Sequence, residues 1–310
     1  MAIVKTDVPT TYALAQAAIR GIVEAYPFCR RRNLTTTAFG RSVDALIIGE
    51  GPRQVLFTAA HHANEWITAT VLLKFAEELA QAISTGGAIY GVPARTLREQ
   101  VTVHLVPMVD PDGVDLVTGA IEPGSPQFDI ALGFADNYPA IPFPDGWKAN
   151  LLGVDLNLQY PALWLRARTI KFSQGYDRPG PRDFVGRAPL TQRESFALAQ
   201  YTQEVDPALM LAYHTQGEVI YWQFLDYDVP GAEALAKEFA RVSGYALEDV
   251  PYASSFAGYK DWFIQNFRRP GITIECGAGD NPLPITQFPE IYRENLGILV
   301  TAATGLPGGN

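Results

Sequence analysis

Two residues of the sequence, His62 and Glu65, are spaced i, i+3 where an apolar segment passes into an amphipathic one. At this spacing in the first turn of a helix, both side chains point the same way. An imidazole and a carboxylate are donors that suit Zn²⁺. The pattern H-x-x-E is nevertheless common, so a helix cap or a surface ion pair is the alternative explanation of these two residues.

A metal site needs a third ligand, and His214 is the candidate. It follows the apolar strand LMLAY and precedes the polar run TQGE. This position places it at the end of a strand, where open α/β folds bind their ligands. Two histidines and one glutamate leave a fourth coordination position for water, which is the arrangement of catalytic zinc. The other two histidines, His61 and His104, are expected to have packing roles.

Hydrolysis also needs a base for the attacking water. Glu275 closes the apolar strand ITIE and precedes the flexible turn CGAG. A carboxylate in this position can face a cleft and act as a general base, and a buried ion pair is the alternative. Asp155, in GVDLN, is the candidate acceptor for the free ring N–H of a metal-binding histidine, with a plain turn residue as its alternative.

Strands and helices alternate along the chain, and several strands are continuous apolar runs, which are typical of strands buried on both faces. We predict strands at residues 43–49, 54–60, 101–109, 209–213, 219–222 and 271–275. We predict helices at residues 10–26, 66–84, 192–204, 232–243 and 288–303, the third opened by a capping box of Thr191 and Glu194. Residues 118–150, rich in Pro, Gly and Asp, are predicted to form a long surface excursion. This order predicts an α/β sandwich with a largely parallel or mixed sheet.

The composition limits the class of protein. Of the 310 residues, 47% are hydrophobic and 18% are charged, so a large core is available and wholesale disorder is excluded. The net charge of −9 argues against nucleic-acid binding, which usually requires a basic excess. No apolar run reaches the length of a membrane span and no secretory leader is visible, so we expect a cytoplasmic protein without a membrane partner.

Six segments occur in order along the chain: HHANEWIT at 61–68, DPDG at 110–113, GVDLN at 153–157, YHTQG at 213–217, YKDW at 259–262 and TIECG at 273–277. Together they resemble the M14 zinc carboxypeptidase family. The resemblance implies a three-layer α/β/α sandwich with a mixed, mainly eight-stranded sheet, and one Zn²⁺ per chain. His62, Glu65 and His214 are similar to the family's zinc ligands. Glu275 is similar to its general base, and Asp155 to the partner of the first histidine.

The sequence departs from the digestive members of that family at positions that contact substrate. Those members have an Asn-Arg pair that binds a C-terminal carboxylate, whereas here Asn157 is followed by Leu158, which cannot donate a hydrogen bond. The arginine that polarises the scissile carbonyl is replaced by Lys148, which keeps the charge but loses the bidentate fork. Asn64 replaces the arginine beside the glutamate ligand. Tyr252 lies near the position of the family's substrate-binding tyrosine.

Several segments are similar to one branch of the family: VDPDGVDLV, WKAN, YHTQGEVIYW, GYKDWFIQ and NPLP. This branch is the γ-D-glutamyl-diamino acid peptidases, which cleave peptidoglycan stem peptides between the γ-carboxyl of D-glutamate and meso-diaminopimelate. The resemblance implies a single catalytic domain over residues 1–310, without the LysM repeats of some relatives. It also implies an intracellular member that processes released murein peptides.

The implied reaction is metal-assisted amide hydrolysis, in which Glu275 accepts a proton from water and Lys148 and Zn²⁺ stabilise the oxyanion. Two other functions stay open. An ordinary zinc carboxypeptidase would remove C-terminal residues from L-peptides. A catalytically silent murein-peptide-binding module is the third possibility, and the complete set of ligands and base argues against it.

The expected substrate carries carboxylates, so an acidic protein needs local cations to bind it. Lys260 precedes the Asp-Trp pair at the family's position for leaving-group preference. It is expected to pair with the distal carboxylate of diaminopimelate, and a solvated surface lysine is the alternative. Arg182 is a second candidate for substrate binding, with an ion pair to Asp183 as its alternative.

Overall fold

A computed structural model describes residues 2–306, which form a mixed eight-stranded sheet with helices on both faces and a small separate hairpin. The strands are β1 Arg30–Thr36, β2 Ser42–Gly49, β3 Arg53–Thr58, β4 Ala88–Ile89, β5 Val92–Pro93, β6 Val101–Val106, β7 Leu209–His214, β8 Val219–Tyr221, β9 Ala246–Leu247 and β10 Gly271–Glu275. The helices are α1 Tyr12–Ala25, α2 Ile67–Thr85, α3 Ala94–Gln100, α4 Pro111–Val117, α5 Pro126–Ala135, α6 Trp164–Ser173, α7 Arg193–Val205, α8 Ala232–Ser243, α9 Tyr259–Phe267 and α10 Phe288–Thr304.

The order of the strands across the large sheet is β1-β2-β6-β3-β7-β10-β8-β9. The central strands β6, β3, β7 and β10 are parallel to one another. Strand β2 runs antiparallel to β6, and β8 runs antiparallel to β10. Because β3, β7 and β10 are parallel neighbours, their carboxyl ends lie at one edge of the sheet, and the residues that follow them are brought together there.

Apolar side chains cover both faces of the sheet, because successive residues of a strand point to opposite sides. On β3, Val55 and Phe57 belong to the core formed with α1, α2, α8 and α10. Leu56, between them, belongs to the core formed with α6, α7 and α9. The predicted three-layer α/β/α sandwich is therefore confirmed. None of the helices within residues 2–306 is long and apolar enough to cross a membrane.

Most of the predicted surface excursion at residues 118–150 is exposed or half-buried, but the segment contains a helix that the sequence analysis did not predict. Helix α5 lies within it, and its N-cap Ser125 accepts a hydrogen bond from the backbone N–H of Phe128 (3.3 Å). A small apolar cluster includes Ile121, Ala131, Trp147, Ala149 and Leu151. The backbone N–H of Ala63 donates to the carbonyl of Lys148 (3.1 Å), which fixes this segment against the connection between β3 and α2.

The predicted capping box at Thr191 and Glu194 is wrong. Helix α7 begins at Arg193, and Gln192 is its N-cap without a side-chain capping bond. The hydroxyl of Thr191 donates instead to Oε1 of the buried Gln159 (3.0 Å), which also accepts the backbone N–H of Thr191 (2.8 Å). Glu194 is buried, and burial raises its pKa to about 7.

Candidate active site

The connection between β3 and α2 carries the first two candidate ligands. The expected α-helical first turn is in fact a 3₁₀ turn, Ala63–Glu65, with His62 immediately before it. Side chains at i and i+3 eclipse one another in 3₁₀ geometry. As a result, Nδ1 of His62 lies 2.9 Å from Oε1 of Glu65. Both side chains are buried.

His214 is the last residue of β7, and it joins the other two at the edge of the sheet. Its Nδ1 lies 2.8 Å from Oε2 of Glu65 and 3.2 Å from Nδ1 of His62. The ligand atoms of the three residues all lie within 4.8 Å of one another. Two imidazole nitrogens and a carboxylate thus converge on one point, and this donor set fits Zn²⁺.

The carboxylate of this cluster is in the ionised form that a metal ligand requires. Burial alone would raise the pKa of Glu65. The positive charges of His62, Lys148 and His214 outweigh burial and hold the pKa of Glu65 well below its ordinary value, so the carboxylate is ionised. Nζ of Lys148 lies 2.9 Å from Oε1 of Glu65.

Asp155 contacts the other side of His62. Its Oδ1 lies 3.2 Å from Nε2 of His62, and its Oδ2 accepts the backbone N–H of Asp183 (3.3 Å). Burial lowers the pKa of His62, but Glu65 and Asp155 outweigh it and raise that pKa to about 9. A carboxylate behind the ring fixes the ring's orientation and leaves Nδ1 directed at Glu65 and His214.

Glu275 is the last residue of β10, and it pairs in register with His214 on the parallel strand β7. The backbone of the sheet therefore places it beside the cluster. Burial raises the pKa of Glu275 despite the nearby positive charges of His214 and Lys148. A carboxyl group with a raised pKa next to a possible metal site has the properties of a general base.

A cavity of 920 Å³ opens over this edge of the sheet. Of the predicted site residues, it is lined by His62, Glu65, Lys148, Asp155, Asn157, Arg182, His214, Lys260 and Glu275. Tyr252 is not among the lining residues, although its neighbours Pro251 and Ser254 are. Tyr252 is 66% exposed as a residue, and its ring packs against that of Phe256, with centroids 5.2 Å apart.

The positions that differ from the digestive enzymes also lie at this cavity. Oδ1 of Asn157 accepts the backbone N–H of Tyr259 (3.0 Å), and the apolar side chain of Leu158 lines the wall. Nδ2 of Asn64 donates to the carbonyl of Asp145 (3.1 Å). Leu158 offers no hydrogen-bond donor, so its side chain cannot bind a C-terminal carboxylate.

Lys260 is buried, so the alternative of a solvated surface lysine is wrong. Its Nζ lies 2.6 Å from Oδ1 of Asp261 and donates to the carbonyl of Gln223 (2.5 Å).

Arg182 forms the ion pair with Asp183 that was given as the alternative to substrate binding, with Nε 2.7 Å from Oδ2. The residue nevertheless also lines the cavity.

A family model described as zinc carboxypeptidase, Peptidase_M14, matches residues 15–297. The chain belongs to this family. It is 42% identical over 289 residues to gamma-D-glutamyl-L-diamino acid endopeptidase 1 of Lysinibacillus sphaericus, covering 93% of this chain and 71% of that protein. It is 38% identical over 283 residues to the uncharacterized protein YqgT of Bacillus subtilis, covering 91% of this chain and 73% of that protein.

The fold of this zinc carboxypeptidase family member recurs in solved structures of low identity. Carboxypeptidase A from Helicoverpa armigera superposes with a TM-score of 0.72 at 18% identity, covering 97% of this chain and 75% of that one. Murein-tripeptide amidase MpaA from Escherichia coli O157 superposes with a TM-score of 0.57 at 18% identity, covering 90% of this chain and 93% of that one. The sheet and its covering helices are thus those of the zinc carboxypeptidase family.

This family member also has cavity residues that the sequence did not single out. Lys171, on α6, is buried and its Nζ lies 2.5 Å from Oδ1 of Asp183. Asn281 exchanges hydrogen bonds with Thr215, which donates its hydroxyl to Oδ1 (2.7 Å) and accepts from Nδ2 at its carbonyl (3.0 Å). Neither residue has a distinctive spacing, because the partner of Lys171 is 12 residues away and that of Asn281 is 66 residues away. His61 and His104 are both buried outside the cluster of candidate ligands.

Proposed function

We propose that this member of the M14 family hydrolyses the amide bond between the γ-carboxyl of D-glutamate and diaminopimelate in peptidoglycan stem peptides. The observation that carries the proposal is the convergence of His62, Glu65 and His214 at a cavity that also contains Glu275. The relative from Lysinibacillus sphaericus supports the γ-D-glutamyl linkage as the bond that is cleaved.

In this proposal His62, Glu65 and His214 hold one Zn²⁺ per chain, with Asp155 fixing the first imidazole. When bound, the ion supplies Lewis acidity that activates water and polarises the scissile carbonyl. Glu275 accepts the proton of the attacking water at its carboxylate and returns it to the leaving amine. Lys148 stabilises the negative charge that develops on the carbonyl oxygen, and one such donor is worth about 3–4 kcal/mol.

The proposal includes a single catalytic domain and a cytoplasmic site of action. One sheet and its covering helices account for residues 12–304, which supports a single domain. Cys29 and Cys276 are both free and buried, which supports a reducing compartment. The substrate would then be a released murein peptide.

The first prediction concerns the bond that is cleaved. The zinc-loaded protein is expected to split L-alanyl-γ-D-glutamyl-meso-diaminopimelate into L-alanyl-D-glutamate and diaminopimelate, identified by mass spectrometry. It is expected to leave an ordinary L-peptide uncut, because Leu158 provides no donor for a C-terminal carboxylate. Stepwise loss of C-terminal residues from the L-peptide, with the γ-linked peptide intact, would instead identify an ordinary carboxypeptidase.

The leaving group offers a second recognition element. The distal centre of diaminopimelate carries an ammonium and a carboxylate, whereas lysine carries the ammonium alone. Lys260 and Asp261 present the opposite pair of charges at the cavity, with 2.6 Å between Nζ and Oδ1. We infer that Lys260 contacts the distal carboxylate and Asp261 the distal ammonium. Asn157 and Tyr252, at the wall and rim, complete the proposed substrate-binding set.

A second prediction tests Lys260. Lys260→Met is expected to lower kcat/KM for the diaminopimelate peptide by about 10–100-fold, because a charge-assisted contact to a carboxylate is worth about 1.5–3 kcal/mol. A peptide with lysine in place of diaminopimelate lacks that carboxylate and is expected to be hardly affected. Steady-state kinetics of both peptides with the same variant separates recognition from damage to the fold. Equal losses on the two peptides would show that Lys260 has only a structural role.

Since Lys260→Met leaves the buried Asp261 carboxylate without its cation, a double variant is the matched control. Lys260→Met with Asp261→Asn removes both charges while Asn keeps an acceptor for the backbone N–H of Gly258 (3.2 Å from Oδ2). The double variant is expected to be more stable than the single one, because a lone buried charge is costly. It should also lower kcat/KM for the lysine peptide, because Asp261 is the proposed partner of the ammonium that both leaving groups carry, and the diaminopimelate peptide should still lose more.

A further inference from the structure

The four cations that line the cavity in residues 2–306 differ in how their charges are balanced. Lys148 and Lys260 each have a carboxylate of their own, Glu65 and Asp261. Lys171 and Arg182, by contrast, share one carboxylate, that of Asp183, at 2.5 and 2.7 Å. The group of Lys171, Asp183 and Arg182 therefore carries one net positive charge at the wall of the cavity.

Within that group, Arg182 is the cation that still has N–H groups available for further hydrogen bonds. Its Nε donates to Oδ2 of Asp183, and within residues 2–306 the two terminal nitrogens make no hydrogen bond or ion pair. The side chain of Arg182 is 41% exposed, whereas that of Lys171 is 8% exposed. A guanidinium with one edge anchored and the other edge directed to solvent is suited to bind a carboxylate through two parallel hydrogen bonds.

The position of Arg182 is tied to the metal-binding cluster. The backbone N–H of the next residue, Asp183, donates to Oδ2 of Asp155, and Oδ1 of Asp155 contacts Nε2 of His62. The side chain of Arg182 lines the same cavity as Lys148, the residue proposed to stabilise the oxyanion. Asp155 contacts His62 and the Asp183 amide and makes no ion pair with Arg182, although its negative charge also helps to keep the guanidinium protonated.

We propose that Arg182 binds the free α-carboxylate of the D-glutamyl residue and so selects glutamate over its amidated form. This inference rests on the function proposed above and names the group that recognises the acyl side of the bond. In a γ-linked glutamate the α-carboxylate is separated from the scissile carbonyl only by the short side chain. In a γ-linked isoglutamine that carboxylate is replaced by a neutral carboxamide. A cation fixed beside the metal cluster therefore favours a glutamyl residue with a free carboxylate over its amidated counterpart.

The test uses two γ-linked peptides that differ in one group. One has D-glutamate, and the other has D-isoglutamine, in which the α-carboxylate is a neutral carboxamide. Arg182→Gln in the zinc-loaded protein is expected to lower kcat/KM for the glutamate peptide by about 10–100-fold and to change that for the isoglutamine peptide by less than about threefold. Arg182→Lys is expected to give an intermediate loss on the glutamate peptide, because it keeps the charge and loses the fork.

The variant is expected to fold, because Lys171 still balances Asp183 when Arg182 is neutral. Arg178→Gln is the matched control: Arg178 also pairs with an adjacent aspartate, Asp177 (2.8 Å), but does not line the cavity. This control should leave both peptides unaffected. Equal losses on the two peptides, or none on the glutamate peptide, would overturn the role of Arg182 while leaving the proposed function intact. Failure of the wild-type protein to cleave either peptide would overturn both.

Discussion

Replacement of Glu275 by glutamine is expected to reduce kcat on the γ-D-glutamyl peptide by about 10²–10⁴-fold, the usual contribution of a general base. Gln keeps the size of the side chain and removes its capacity to accept a proton. Glu275 is held by the backbone pairing of β10 with β7, so the substitution should not move the neighbouring His214. The zinc content and the melting temperature are therefore expected to match those of the wild type.

The measurement combines single-turnover kinetics with metal analysis of the same preparation. Glu194→Gln is the matched control, because Glu194 is also a buried carboxyl whose pKa is raised by burial, but it does not line the cavity. We expect its turnover to stay close to that of the wild type. If Glu275→Gln kept turnover within about a factor of two, another group would have to accept the proton.

The sequence correctly predicted the site residues that lie at the ends of strands. His214 and Glu275 each end an apolar run, and parallel pairing of β7 and β10 makes them direct neighbours. The spacing of His62 and Glu65 correctly predicted a shared direction, but the turn that holds them is 3₁₀ and not α-helical. Spacing at i, i+3 brings two side chains together in either geometry, so it does not distinguish them.

Other elements could not be predicted because their determinants are not local. Strand β1, with the polar sequence RRRNLTT, lies at an exposed edge of the sheet and therefore lacks the alternation of a half-buried strand. The capping box at Thr191 failed because Gln159, distant in sequence, accepts its hydroxyl and its N–H. The pairing of Lys171 with Asp183 likewise depends on how α6 packs, and no sequence motif indicates that packing.

The metal site itself is tested by His214→Ala. We expect the wild type to bind one zinc per chain and the variant to bind far less, because the two protein ligands that remain in the variant bind the ion much more weakly than three. Inductively coupled plasma mass spectrometry of the purified proteins gives the zinc content. His104→Ala is the matched control. His104 is also a buried histidine, it forms hydrogen bonds with Tyr201 and Gln54, and it lies outside the cluster of candidate metal ligands.

A second measurement distinguishes loss of the ligand from general damage. Binding to the native state stabilises it, by about 2.7 kcal/mol when the free zinc is 100 times Kd. A chelator should therefore lower the melting temperature of the wild type and of His104→Ala, and should leave that of His214→Ala unchanged. Full zinc occupancy in His214→Ala, together with a wild-type response to the chelator, would show that His214 is not a ligand. Nδ1 of His214 is the atom of β7 that lies beside Glu65 and His62. If it is not a ligand, a different residue must supply the third donor of the metal site.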